Sequence, residues 1–357
     1  MHAPLLVTDS GLKDAPFVRD AISANAAAGL PTGLFADVRG NPSDENVEAG
    51  LKIFRAGGHD GVVALGGGSG IDAAKAIALM AGQTGGLWDY LEDGAFNAGA
   101  LDPAVMAPVV AIPTTAGTGS EVGRASIITE SAARAKRIVH HPKMMPGIVI
   151  ADPILTIGLP ANLTAATGID ALTHCLEAYC AEKFHPQADG IALEGMRLIK
   201  EWLPRAYADG GLIEARANML AAASMGATAF QKGLGAAHSI SHAVGARYDT
   251  HHGLTNAVVL PYVLRFNRSA IDDKMSHLAR VLNLPGSGFD AVMDWVLSLR
   301  QELDIPDRLG DIGVPDDDAI SIAALAAADP TAPSNPVPLD AVSLRGLFLE
   351  SVNGVDV

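Results

Sequence analysis

The stretch LGAAHSISHAVGARYDTHHG, residues 234–253, holds four of the chain's eleven histidines. His238 and His242 are four apart and share one face if the segment is helical. Upstream, ATGIDALTHCLEAY places Asp170 and His174 at the same spacing, on another helical pattern. A carboxylate and an imidazole at i, i+4 present two ligands to one ion. His252 follows a turn, YDTHHG, where the chain can fold back. One carboxylate with three imidazoles suits a divalent first-row metal, Fe(II) or Zn(II), with a position left open for substrate. A zinc-protease reading fails, because residue 239 is serine and no H-E-x-x-H occurs. Any one of these histidines alone reads as a hydrogen-bonded structural residue. Together they read as a metal site.

Two glycine-rich turns suggest a second ligand. ALGGGSGIDAAKAIA (64–78) follows an apolar run and opens a helical pattern. Three glycines let the backbone turn sharply and aim its N–H groups at an anion, at the positive end of a helix dipole. Ser69 and Asp72 form an S-x-x-D capping pattern. The spacing is not G-x-G-x-x-G, because residue 71 is isoleucine, nor does it contain the G-K-[ST] of a P-loop. AIPTTAGTGSEV (111–122) repeats the arrangement, with Thr114 and Thr115 before the turn and a T-x-x-E, Thr118 to Glu121, expected to start a helix. Hydroxyls and free N–H groups together suit a diphosphate or a ribose. Asp9 ends the first apolar run, where a carboxylate either accepts ribose hydroxyls and repels a 2′-phosphate or serves as a plain turn residue.

These residues need a scaffold that brings turns to one edge and histidines to one pocket. Segments 4–9, 32–38, 61–68, 108–115, 125–129 and 147–152 read as strands. Several are apolar throughout, as in parallel strands buried on both faces. Helical patterns such as DENVEAGLKIFRAG and GIDAAKAIALMAG alternate with them, which defines an α/β layer. Beyond Leu159–Pro160 the pattern becomes helical almost without interruption: 164–180, 186–208, 212–231, 234–246, 254–267, 272–283 and 288–303. We expect an α/β dinucleotide-binding domain over 1–156 with a Rossmann-like parallel sheet, then an all-α metal-binding domain over 157–357. The chain length supports two domains. With 49% apolar and 18% charged residues the composition is that of a folded protein, and a net charge of −15 argues against a nucleic-acid partner, whose phosphates demand a basic surface. Two cysteines, 175 and 180, provide no disulfide framework and suit a reducing cytoplasm. The N-terminus lacks the basic start and apolar core of a signal peptide, and no apolar run approaches the roughly 18 residues of a membrane helix.

The motifs GGGSGIDAAK, AIPTTAGTGSEV, ATGIDALTHCLEAY and GLGAAHSISHAVGARYDTHHG, in this order over residues 64–253, resemble the iron-containing (group III) alcohol dehydrogenases, lactaldehyde reductase among them. The resemblance implies a dehydroquinate synthase-like fold with an active-site cleft between a dinucleotide domain and a helical metal domain. It places the metal ligands at Asp170, His174, His238 and His252, and a further, non-ligating active-site histidine at His242. Gly67, Gly68 and Ser69 match the diphosphate loop, and Thr114, Thr115 and Thr118 the threonines around the nicotinamide half. Asn41 and Lys136 match cofactor contacts, and Asp9 the acidic residue associated with NAD over NADP. Family members usually carry a β-hairpin and helix before the LLVTD strand, where this sequence starts, which bears on oligomeric state and stability. His251 stands where related sequences often have proline; it is expected to do nothing, against the alternatives of tuning substrate or acting as a spare ligand.

The expected activity is reversible hydride transfer between the carbon of a small alcohol and NAD, with Fe(II), or alternatively Zn(II), as Lewis acid and His242 moving the alcohol proton. A homodimer or larger homo-oligomer in the cytoplasm is expected, with no nucleic-acid or membrane partner. The alternative is a related hydroxy-acid dehydrogenase or a maleylacetate-reductase-like enzyme. Less favoured are a dehydroquinate-synthase-like lyase, which needs cations such as Lys232 and Arg247 to hold a phosphate, and a catalytically silent NAD-binding protein. The substrate and the choice of iron or zinc are not legible in the sequence.

Overall fold

The computed structural model describes residues 1–92 and 95–354. The chain divides into two compact units, Met1–Thr115 with Ser120–Thr156, and Ala116–Gly119 with Ile157–Val357.

The first unit is an α/β layer. Its strands are β1 (Pro4–Asp9), β2 (Gly33–Val38), β3 (Gly61–Gly66), β4 (Leu91–Glu92), β5 (Ala95–Phe96), β6 (Val109–Pro113), β7 (Ala125–Glu130), β8 (Ala135–His140) and β9 (Ile148–Val149), with helices α1 (Pro16–Ala27), α2 (Asp44–Ala56) and α3 (Gly68–Met80). Five strands form an all-parallel sheet in the order β2-β1-β3-β6-β9. The apolar runs belong there because both faces are covered: all six residues of β3 are buried, as are Leu5, Leu6 and Val7 of β1. The 125–129 run lies outside this sheet. As β7 it pairs antiparallel with β8, whose AKRIVH carries too much charge to read as a strand.

The α3 helix is buried from Gly70 to Met80, including Asp72 and Lys75. The Lys75 ammonium, fully enclosed, donates to the carbonyls of Ser120 (2.9 Å), Gly123 (3.4 Å) and Ala125 and lies 3.3 Å from Asp72. Asp72 in turn accepts from the Ser120 hydroxyl and, at 2.9 Å, from the Ile127 N–H. Burial draws the Lys75 pKa down despite that neighbour. This pair ties the glycine-turn helix to the second glycine-rich loop. It also corrects two expectations. The helix starts one residue before Ser69, with Gly67 as its cap, so Asp72 faces the 120–127 loop and Ser69 caps nothing. The T-x-x-E segment forms only a 3-10 turn over Ser120–Val122, where Ser120 and Glu121 are themselves buried.

The second unit is helical: α4 (Ala161–Cys180), α5 (Pro186–Ala208), α6 (Ile213–Ala229), α7 (Ala236–Tyr248), α8 (His252–Val281), α9 (Gly288–Glu302), α10 (Ala319–Ala327) and α11 (Ala341–Asn353). The two patterns at 254–267 and 272–283 are one helix, α8, of 30 residues. No glycine or proline falls between them, and Pro261 sits inside the helix without ending it. Buried from Thr164 to Cys180, α4 is the axis of the core and packs against α5, α6 and α8. Among the described residues no helix is long and apolar enough to cross a membrane.

Cys175 and Cys180 are free and buried on α4, where burial pushes both thiols up to about 12. Since the thiolate is the reactive form, a thiol reagent at pH 8 is expected to modify neither cysteine in the native protein. Both should react in denaturant, which a titration of modified thiols before and after unfolding checks directly.

Candidate active site

Asp170 and His174 lie one turn apart on α4, and His238 lies in the first turn of α7. One ligand atom of each falls within 4.8 Å of the others, and all three residues are buried. The His174 and His238 rings stack at 4.6 Å. His238 Nε2 is 4.0 Å from Asp170 Oδ1, and His252 Nε2 reaches the same oxygen at 3.8 Å. His252, the first residue of α8, is the open side of the group, with its side chain 24% exposed against 3% for Asp170. The approach depends on the next residue: a Cβ on Gly253 would lie 2.6 Å from the Ala166 carbonyl oxygen and 3.1 Å from Asp170 Cβ. Glycine is what lets the start of α8 lie against α4.

Hydrogen bonds behind the rings settle which nitrogen faces inward. Glu177 Oε2 is 2.5 Å from His238 Nδ1, and a carboxylate only accepts, so Nδ1 carries the proton. Ser241 spends its O–H on the His252 carbonyl (3.2 Å) and leaves its oxygen to accept from His252 Nδ1–H at 3.0 Å. In both rings Nε2 is therefore the acceptor nitrogen, and it faces Asp170. The Asn256 amide nitrogen lies 2.8 Å from Asp170 Oδ1 and 3.2 Å from each of these Nε2 atoms. Burial pulls His174 down to about 4, so near neutral pH its ring is uncharged and able to coordinate. Burial also disfavours a charged His238, but Glu177, together with Asp170 and Asp329, outweighs it and raises that pKa. Imidazole nitrogens converging on one carboxylate fit a divalent first-row metal, whose binding would displace any proton from His238.

His242, one turn along α7, does not join the ligand group. Its ring stacks on His252 at 5.3 Å, and its Nδ1 donates to Asp329 Oδ2 at 2.8 Å. Asp329 is fixed by the Thr331 N–H (2.8 Å) and hydroxyl (2.6 Å). Burial raises the Asp329 pKa, but His242 and Thr331 together hold it below the ordinary carboxylate value. His251 has a use not foreseen from sequence: it caps α8, its Nδ1 accepting the Leu254 N–H at 3.2 Å. Lys232 is engaged by Asp189 (2.5 Å) and the Tyr179 carbonyl, and Arg247 by Ser321 and Asp318. The cations that a phosphate-holding lyase needs are thus spent on other partners.

In the first unit, Gly67, Gly68 and Ser69 form the turn from β3 into α3. Asp9, at the end of β1, braces that turn: its Oδ2 accepts the Gly67 N–H at 2.7 Å, and a Cβ on Gly66 would come within 2.4 Å of the same oxygen. Burial raises the Asp9 pKa, opposed by these backbone N–H groups. Thr114 donates its N–H to Gly66 O at 2.9 Å, and Thr115 lies beside Gly67. Asn41 takes a left-handed backbone conformation and accepts from Lys136 Nζ at 2.7 Å, so these two are brought together. Thr118 falls in the second unit's Ala116–Gly119 segment. A cavity of about 370 Å³ opens beside the ends of β1 and β2, lined by Ser10, Asp37, Arg39, Ser43, Glu45 and Asn46. Ligands of open α/β sheets bind at this strand edge.

A parallel α/β layer with a glycine turn, followed by a helical unit with a buried Asp-His-His group, defines a metal-dependent nicotinamide oxidoreductase. The sequence matches the family model described as iron-containing alcohol dehydrogenase over residues 2–153, and that of the C-terminal part of the same family over 164–351. The chain belongs to the iron-containing alcohol dehydrogenase family. It is 42% identical to a 4-hydroxybutyrate dehydrogenase of Cupriavidus necator, covering 99% of this chain and 93% of that protein. It is 38% identical to an NAD-dependent methanol dehydrogenase of Bacillus methanolicus, covering 93% and 87%. The solved structure of a 1,3-propanediol oxidoreductase superposes with a TM-score of 0.90 at 35% identity, covering 98% and 92%. The enzyme is an oxidoreductase acting on CH–OH groups, and Asp170, His174 and His238 are grouped so that they could hold its metal.

Proposed function

We propose that His252 completes the ligand set with Asp170, His174 and His238, and that the enzyme interconverts small alcohols and aldehydes, as a lactaldehyde reductase does. The observation carrying this reading is the convergence of two Nε2 lone pairs on Asp170, each fixed by a partner behind its ring. A divalent metal held there supplies Lewis acidity, easing loss of the alcohol proton and stabilising the charge that drives hydride departure. His242, held by Asp329 with Nδ1 protonated, keeps Nε2 free to take that proton and pass it towards solvent. The glycine turn at Gly67–Ser69 binds the NAD diphosphate through backbone N–H groups at the α3 N-terminus. Asp9 fixes that turn, and the cavity beside Asp37 and Arg39 takes the adenosine end. Asn41, Lys136, Thr114, Thr115 and Thr118 complete the cofactor contacts. Two buried free thiols support a reducing cytoplasm, and the family resemblance supports a homo-oligomer.

The second reading is a hydroxy-acid dehydrogenase, favoured by the 42% identity to a protein of that kind. NADH oxidation against short neutral aldehydes and against aldehydes carrying a distal carboxylate separates the two. The first reading predicts that neutral aldehydes have the higher kcat/KM, by about tenfold or more, which corresponds to about 1.4 kcal/mol. Preference for the carboxylated aldehydes overturns it in favour of the second.

A further inference from the structure

We propose that Glu177 is a positioning residue of the metal centre, holding His238 in the tautomer and orientation that coordination requires. The inference rests on the reading of Asp170, His174 and His238 as ligands. Asp170, His174 and Glu177 are spaced i, i+4, i+7 along α4, so one helix face carries two ligands and the carboxylate that serves the third. Glu177 is 7% exposed and both its oxygens are used: Oε2 by His238 Nδ1 at 2.5 Å, Oε1 by the Ala237 N–H at 2.8 Å. The second bond caps the start of α7, which has no capping side chain of its own. One carboxylate therefore sets the rotation of the His238 ring and, with Asn335 at the Ala236 N–H (3.1 Å), holds the start of the helix that carries it. A carboxylate behind an imidazole also makes the opposite nitrogen a stronger donor to a metal.

Glu177 could instead be only a helix cap, and the test separates these roles. Co(II) is titrated into metal-free protein against a competing chelator, with the visible Co(II) spectrum recorded. Glu177→Gln is expected to weaken Co(II) binding about 10- to 100-fold and to shift the spectrum. In a His238→Ala background the same change should cost no further affinity, whereas a mere cap would cost the same in both backgrounds. Affinity within twofold of wild type with an unchanged spectrum overturns the proposal. Should Glu177→Gln not fold, Glu177→Asp, which keeps the charge but withdraws it from Nδ1, is read by the same criteria. If His238→Ala itself binds Co(II) like wild type, the ligand assignment falls and takes this inference with it; if His238→Ala alone is impaired, only the role of Glu177 is refuted.

Discussion

Asp170→Asn is expected to abolish metal binding and to lower kcat/KM by about 10³–10⁴, a loss of roughly 4–5.5 kcal/mol of transition-state stabilisation. Asparagine keeps the shape of the side chain and an oxygen for the Asn256 amide, now at 2.8 Å, but removes the one anion among the grouped ligands. The fold should survive, since a neutral group in this buried place avoids the cost of an enclosed charge. Thermal melting distinguishes lost metal from lost structure. Wild type should gain in Tm when metal is added, because only the folded chain binds it. The variant should melt at or above metal-free wild type and gain nothing on addition. Normal metal content with lost activity would move Asp170 out of the ligand set.

His242→Ala is expected to lower kcat by about 10²–10⁴, the usual contribution of a positioned acid–base group, with metal content unchanged. The ring stacks on His252 but faces Asp329 with its other edge, so its loss takes away a proton acceptor and no ligand. It also strips Asp329 of one of the partners that hold its pKa down. The sign of the pH effect follows. A carboxylate with a depressed folded pKa stabilises the protein above its unfolded pKa and loses that contribution as pH falls through the folded value. With His242 gone the Asp329 pKa rises, so the variant should lose stability at a higher pH than wild type in acid melts. Metal analysis beside steady-state kinetics decides the main point. A variant without metal makes His242 a ligand; one with wild-type kcat removes it from the chemistry.

The parts of this enzyme legible from sequence are those where the chain encodes a relation at short range. The i, i+4 spacing put Asp170 and His174 on one face, and the apolar run at 61–66 announced a buried parallel strand before the chain turned at Gly67. Long-range partners were not legible. Glu177 meets His238 across 61 residues and Asp329 meets His242 across 87, and neither stretch marks its carboxylate as different from any other. Asn256 sits a turn beyond His252 on α8 and reads as an ordinary helical asparagine until α4 and α7 lie beside it. The GIDAAK segment shows why local rules mislead. Asp72 fits a capping pattern and Lys75 a solvent-facing helix residue, yet both are enclosed and lock the second loop. Likewise β8 escaped notice because its stability comes from six paired residues of β7, not from its own apolar content.

The most direct test of a metal-dependent NAD-linked alcohol dehydrogenase is made on protein purified without oxygen. Bound metals are quantified, and NADH oxidation by a short aldehyde is followed before and after chelation and after adding back Fe(II). The account predicts about one divalent metal per chain, turnover that disappears with chelation, and turnover that returns with Fe(II). Undiminished turnover in the metal-free protein, or no metal uptake after reconstitution, would contradict it.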